Sequence, residues 1–107
     1  MIYIAHRGLT HGPNTDLENN PVQIVKAVKE GYECEVDLWV LDGQLILGHD
    51  EPKYPVNYTF LSVRPLWIHA KNLDALYWLN KNHKKFNYFW HQNDDFTITN
   101  EGYIWTY

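Results

Sequence analysis

The chain has 107 residues, of which 45% are hydrophobic and 16% aromatic, so it holds one domain's worth of sequence with enough apolar content for a core. Its formal net charge of -4 and its lack of any basic run exclude nucleic acid as a general partner. The single cysteine, Cys34, excludes an intramolecular disulfide, and no apolar stretch reaches the roughly 18 residues of a membrane span. We therefore expect one soluble domain over residues 1–107, located in the cytoplasm.

The first third of the chain predicts a strand, a helix and a second strand. Residues 2–5 form a β-branched and aromatic run that stops at His6, which predicts a buried strand followed by a polar loop. Asn20 and Pro21 provide the N-cap and first position of a helix, and Gly31 ends it. A strand, a helix and a strand in this order form a βαβ unit, whose two strands are expected to be parallel.

The second predicted strand, residues 33–40, has carboxylates on one face. Its apolar residues alternate with Glu33, Glu35, Asp37 and Trp39. Buried ionised carboxylates are costly unless they are paired or bind a cation. Glu35 and Asp37 point the same way and are close enough to share one hard divalent cation, so we predict a metal site. The alternative is an edge strand with its acids in solvent. Cys34, on the opposite face, is expected to be a small buried side chain rather than a nucleophile.

The rest of the chain predicts a hairpin followed by further strands and one helix. Asp42 and Gly43 form a turn between apolar runs, which predicts a hairpin with residues 45–47. Residues 51–63 contain two prolines and no clean period, so we interpret them as a loop. Asn72 caps a second helix from residue 73 to about 82. Further strands are predicted at residues 66–70, 86–90, 96–99 and 103–106.

Reactive side chains stand at or near the ends of these strands. They are His6, Arg7, Glu35, Asp37, His49, Lys71 and His91. In parallel α/β folds the carboxyl ends of the strands form the ligand-binding face, so we expect these residues to converge. Two imidazoles, two carboxylates suited to Mg²⁺ or Ca²⁺, an arginine and a lysine are the groups needed to cleave a phosphodiester.

The same residues carry a resemblance to a known family. The chain is similar to the glycerophosphodiester phosphodiesterases in the order and approximate spacing of His6-Arg7-Gly8, Glu18-Asn19, Gly31 before Glu35 and Asp37, Asp42-Gly43, and His49-Asp50. This similarity covers roughly residues 2–50, and His69-Ala70-Lys71 resembles the next motif of the family in weaker form.

The resemblance implies a TIM-type (β/α) barrel in the α/β class, of which this chain supplies about four βα units with a hairpin inserted after the second strand. It also implies metal-dependent hydrolysis of a small phosphodiester, such as a glycerophosphodiester or a lysophospholipid headgroup. The implied roles are Mg²⁺ or Ca²⁺ binding by Glu35 and Asp37, acid–base catalysis by His6 and His49, and phosphate binding by Arg7 and Lys71.

Two features depart from the family pattern. His69 stands where the family has an acidic metal ligand, and an imidazole suits softer ions than Mg²⁺ or Ca²⁺. A full barrel takes about 250 residues, so we expect this chain to be the N-terminal part of a longer protein. The alternatives are a homo-oligomer in which two copies complete each other, and a smaller closed α/β domain.

Each candidate residue also has a structural interpretation: His6 with Arg7 as a loop pair that caps the following helix, His49 with Asp50 as a turn, and Lys71 as an exposed residue before a helix, and for these we favour the functional role. Glu18 either contacts the metal or substrate or fixes its loop, and we favour the loop. His69 is either a site residue or a hydrogen-bonded core histidine. For His91 and the pair Asp94-Asp95 we favour a solvated turn. For the whole chain, the rival functions are a catalytically impaired relative that binds phosphate esters or acts in assembly, and a phosphodiesterase that needs no metal.

Overall fold

A mixed six-stranded sheet with two nine-residue helices forms most of the fold. The computed structural model describes residues 2–91 and 96–106. In chain order the elements are β1 (Ile4–Ala5), a 3-10 turn (His6–Gly8), α1 (Pro21–Lys29), β2 (Glu33–Leu41), β3 (Gln44–Leu47), β4 (Tyr54–Val56), α2 (Tyr58–Ser62), β5 (Leu66–Ala70), α3 (Leu73–Lys81), β6 (Asn87–Trp90), β7 (Phe96–Ile98) and β8 (Ile104–Thr106).

Strand β2 lies in the middle of the sheet. On one side it pairs in parallel with β5, which pairs in parallel with β6. On the other side its first residues pair in parallel with β1, and its last residues pair antiparallel with β3, followed by β4. Because β2 is nine residues long, it can serve two neighbours along the same edge.

The predicted partial barrel of about four βα units is wrong. Strands β3 and β4 extend the sheet in the antiparallel direction, and β7 and β8 form a separate two-stranded sheet, so the described chain is richer in β-structure than a barrel segment. The departure lies in β4 and in the β7–β8 hairpin, whereas the turn at Asp42 and Gly43 was predicted, and both of its residues have positive φ (50° and 78°). This backbone matches the twist of a tight hairpin and turns the chain back along β2.

The predicted loop over residues 51–63 is also wrong, because this region contains β4 and the short helix α2. Pro55 lies within β4, opposite Ile46 of β3. Strand β4 is the last strand on its side of the sheet, where a proline's missing N–H costs no ladder hydrogen bond. Pro55 therefore marks a sheet edge, whereas Pro52 lies in the loop before β4.

Both predicted long helices and the hairpin are confirmed. The side chain of Asn20 accepts a hydrogen bond from the backbone N–H of Val22 at the start of α1, and the side chain of Asn72 caps α3 in the same way. Strands β1 and β2 are parallel, as expected of a βαβ unit. Within residues 2–91 and 96–106, no helix is long and apolar enough to cross a membrane.

The apolar core lies on the face of β2 opposite its carboxylates. It joins the even-numbered residues of β2 to side chains of α1, β5 and α3. Cys34 is fully buried there, as predicted. Burial, helped by the charge of Glu35, raises the pKa of the Cys34 thiol to about 11, so this cysteine is a packing residue.

The C-terminal hairpin of β7 and β8 packs against the opposite face of the sheet. Trp105 of β8 stacks on Phe89 of β6, with ring centroids 5.0 Å apart, and contacts Trp67 of β5 at 5.7 Å. Phe89 in turn stacks on His69. The hairpin thus supports the rings that border the carboxylate face. The turn predicted at Asp94-Asp95 lies outside the described residues.

Candidate active site

The carboxylate face of β2 borders a cavity of about 670 Å³. Glu35 and Asp37 are 2% and 1% exposed, so the alternative of acids in solvent is wrong. The other lining residues are His6, Arg7, Trp39, His49, Asp50, His69, Ala70, Lys71, Trp90 and His91. Every predicted site residue except Glu18 therefore lines this one cavity.

His6 and Arg7 are presented by the 3-10 turn that follows β1. Arg7 has a φ of 54°, a left-handed conformation that costs about 1 kcal/mol or more outside glycine. Its backbone N–H donates to Glu35 Oε1 at 3.1 Å, and His6 Nε2 lies 3.7 Å from the same oxygen. Burial and the Arg7 guanidinium lower the pKa of His6, so the neutral imidazole is favoured at neutral pH.

The guanidinium of Arg7 joins three parts of the site. It donates to Glu18 Oε2 at 2.9 Å, its Nη2 lies 3.0 Å from His49 Nε2, and its Nε lies 3.7 Å from Asp37 Oδ2. A guanidinium has only donors, so His49 Nε2 must accept. The ring proton of a neutral His49 is then on Nδ1, 3.3 Å from Asp37 Oδ2. Glu18 acts here as the partner of Arg7, away from the cavity lining.

Asn19 is a site residue for which the sequence analysis predicted no role. It is fully buried and has a φ of 61°. Its side chain accepts from the backbone N–H of Asp37 at 2.8 Å and donates to Asp37 Oδ2 at 2.9 Å. Its own N–H donates to the carbonyl of Arg7 at 2.8 Å. The Glu18-Asn19 motif was the signal in the sequence that pointed to this position.

His49 is held at the cavity by the turn after β3. Trp39 Nε1 donates to the carbonyl of Gly48 at 2.7 Å. A Cβ at Gly48 would lie 1.9 Å from the carbonyl oxygen of Glu51, so glycine is required there. Trp39 lies on the carboxylate face of β2, and the alternation of residues along that strand could have predicted its place in the cavity. Trp90, at the end of β6, had no comparable signal.

The two buried acids differ in ionisation. Burial, followed by the charge of Asp37, raises the pKa of Glu35 well above its ordinary value. Burial also acts to raise the pKa of Asp37, but hydrogen bonds outweigh it and hold that pKa well below its ordinary range. The donors in these hydrogen bonds include His49 and Asn19, and His69 Nδ1 lies 3.1 Å from the other carboxylate oxygen, Oδ1. Asp37 is therefore the stable anion, and Glu35 needs a nearby positive charge to ionise.

Glu35, Asp37 and His69 form a group that fits a divalent cation. One ligand atom from each lies within 4.8 Å of the others, and all three residues are buried. His69 Nδ1 is 3.1 Å from Asp37 Oδ1. Two carboxylates and an imidazole are suitable ligands for several divalent metals. The predicted pair of carboxylates thus gains a third candidate ligand.

We compared the chain with protein-family models, with curated proteins and with solved structures, and none of the three comparisons gave a match. The resemblance to glycerophosphodiester phosphodiesterases therefore rests on the sequence motifs. Membership of that family stays a proposal.

Proposed function

We propose that this chain is a metal-dependent phosphodiesterase that hydrolyses a small phosphodiester, such as a glycerophosphodiester or a lysophospholipid headgroup. The supporting observation is that Arg7 and Lys71 line one cavity together with two buried carboxylates and the imidazoles of His6 and His49. These groups can hold a phosphate, offset its charge and move protons. The proposed compartment is the cytoplasm, where an unpaired cysteine such as Cys34 is usual.

In this proposal Arg7 and Lys71 bind the phosphate oxygens. Arg7 Nε is buried without a hydrogen-bond partner, so the present contacts leave a donor of this guanidinium unused. A guanidinium pairs well with phosphate because it donates two parallel hydrogen bonds. A divalent cation held by Glu35 and Asp37 would supply further positive charge next to the phosphate.

His49 and His6 share the proton transfers. Asp37 accepts from His49 Nδ1, which leaves a lone pair on Nε2. When Arg7 turns to the phosphate, that lone pair can take the proton of the attacking water or of the substrate's own hydroxyl. The lowered pKa of His6 leaves only a minor protonated fraction, but its side chain is 60% exposed, so solvent restores that fraction and the protonated ring can give its proton to the leaving oxygen. Each transfer contributes about 10²-fold or more in rate.

The test is hydrolysis of glycerophosphocholine, whose alkoxide leaving group needs a proton, in the presence of a divalent metal. We expect metal-dependent turnover that falls about 100-fold or more in His6→Ala, because the leaving oxygen then lacks its proton donor. His11→Ala is the matched control, since His11 is an exposed imidazole that does not line the cavity. This control should keep the wild-type rate.

Either of two other results would contradict the proposal and favour a rival function. A protein that binds glycerol 3-phosphate but turns over no phosphodiester with any metal would be a binding or assembly module. A protein whose turnover survives chelation by EDTA would be a phosphodiesterase that relies on Arg7 and Lys71 alone for positive charge. A normal rate in His6→Ala would contradict the role of that residue.

A further inference from the structure

The ring of His69 lies between two oxygen acceptors. Its Nε2 is 3.1 Å from the carbonyl oxygen of His91, and its Nδ1 is 3.1 Å from Asp37 Oδ1. A carbonyl oxygen can only accept, so Nε2 carries the ring proton. In the neutral ring, Nδ1 therefore presents a lone pair to a carboxylate oxygen. Two acceptor atoms that face each other repel unless a proton or a cation lies between them.

Either a second ring proton or a metal cation can join these two atoms. The position of Glu35 favours the cation, because its carboxylate offers a third ligand atom within 4.8 Å of the other two. A proton between His69 Nδ1 and Asp37 Oδ1 would be satisfied by these two atoms alone, whereas a metal cation also needs a third ligand such as the Glu35 carboxylate. The contacts of His69 also resemble those of metal-binding histidines, which usually donate their other N–H to a carbonyl or carboxylate. Stacking on Phe89, with centroids 5.0 Å apart, fixes the ring plane.

We propose that His69 is the third protein ligand of this site and makes the site selective for first-row transition-metal ions, with Zn²⁺ as the probe, over Mg²⁺ and Ca²⁺. The inference rests on the proposed function, because it names the metal of the same cavity. Mg²⁺ and Ca²⁺ are bound by oxygen, whereas an imidazole nitrogen suits Zn²⁺ and its neighbours. Three protein ligands are also typical of catalytic zinc sites, which keep another position for water or substrate.

The test compares Zn²⁺ and Mg²⁺ affinities by competition with a metal-indicator dye. Most sites of nitrogen and oxygen ligands bind Zn²⁺ strongly, so the informative quantity is the ratio of the two affinities. His69→Asp should lower this ratio about tenfold or more, because it replaces the nitrogen ligand with a hard oxygen. His83→Ala is the control: this exposed imidazole contacts only the Asn80 carbonyl among the hydrogen bonds that the structure describes, and its loss should leave the ratio unchanged.

A second measurement uses the wild-type protein, in case a third buried acid prevents His69→Asp from folding. In ¹H–¹⁵N spectra of the histidine rings, Zn²⁺ should shift the Nδ1 signal of His69 while its Nε2 stays protonated. An unchanged affinity ratio in a folded His69→Asp, or a His69 ring that does not respond to bound Zn²⁺, would overturn the inference. Zn²⁺ binding through His69 without phosphodiester hydrolysis would remove only the proposed function. Hydrolysis with Mg²⁺, together with an unchanged ratio of Zn²⁺ to Mg²⁺ affinity in His69→Asp, would contradict only the inference about His69 and leave the proposed function standing.

Discussion

At the residue scale, Asn19 fixes the orientation of Asp37. It makes two hydrogen bonds to Asp37 while fully buried and in a left-handed backbone conformation. Asn19→Ala removes both bonds and leaves the N–H of Asp37 without a partner, which costs about 1–3 kcal/mol. Alanine at positive φ adds roughly 1 kcal/mol. We therefore expect a loss of about 2–4 kcal/mol in the free energy of unfolding, measured by urea denaturation.

Two further variants separate the causes of that loss. Asn19→Gly also removes the hydrogen bonds but tolerates positive φ, so it should be roughly 1 kcal/mol more stable than Asn19→Ala. Asn14→Ala is the control, because the Asn14 side chain makes its hydrogen bond to Asp16 on the exposed surface. It should change stability by less than about 1 kcal/mol. If Asn19→Ala matched this control, Asn19 would not be holding Asp37.

Some residues of the site could be predicted from local sequence pattern, whereas the roles of others depend on contacts that are distant in sequence. His6, His49 and Lys71 could be predicted because each follows a strand end, a position that depends on local pattern alone. The Glu18-Asn19 motif pointed to Asn19, but the role of this residue could not be predicted, because it is a pair of hydrogen bonds to a residue 18 positions away. The ring-proton assignment of His69 was equally out of reach, since it depends on the carbonyl of His91, just beyond the end of β6.

At the element scale, Asn72 joins helix α3 to the central strand. Its Oδ1 accepts from the N–H of Ala75 at 2.9 Å and from that of Val40 at 3.2 Å, and its Nδ2 donates to the Val40 carbonyl at 3.0 Å. Asn20 caps α1 through one exposed hydrogen bond. Asn20→Ala should cost about 1 kcal/mol of unfolding free energy. Asn72→Ala should cost about 2–4 kcal/mol, because it also leaves the N–H and the carbonyl of Val40 without their Asn72 partner.

Urea denaturation of both variants checks this difference under one set of conditions. The Asn57 cap of α2 offers a third case, since its side chain accepts only from Phe60 among the hydrogen bonds that the structure describes. Asn57→Ala should therefore resemble Asn20→Ala. Equal losses in Asn72→Ala and Asn20→Ala would mean that Asn72 is only a helix cap.

Elements were easier to predict from this sequence than their arrangement. The helices α1 and α3 have caps and apolar periodicity, and both are local signals. The pairing of β2 with β1 and β3 along one edge is not local, because it depends on the length of β2 and on a turn that reverses the chain. The barrel was expected from family resemblance, and no pattern within the strands could test it. Pro55 shows the same limit, since an edge strand and a loop both accept proline.

At the scale of the whole molecule, the candidate site connects segments that are distant in sequence. Its lining comes from the turn after β1, from β2, from the turn after β3, and from the ends of β5 and β6. A cation shared by Glu35, Asp37 and His69 would therefore tie β2 to β5 and bind only where the fold is intact. A ligand of the native state alone raises the free energy of unfolding by an amount set by its concentration relative to Kd.

Zn²⁺ at about 100 times its Kd should stabilise the protein by up to roughly 2.7 kcal/mol, which corresponds to an increase of about 10 °C in Tm for a domain of this size. The chain has six histidines, and binding to them in the unfolded state would reduce the increase. Thermal unfolding followed by circular dichroism, with Zn²⁺ and with EDTA, gives the shift within each variant. Asp37→Asn should lose most of it, because Oδ1 of Asp37 faces His69 and its charge attracts the cation. If Asp37→Asn kept the full shift, the metal would bind away from this cavity, and chelation would then be a poor test of the proposed chemistry.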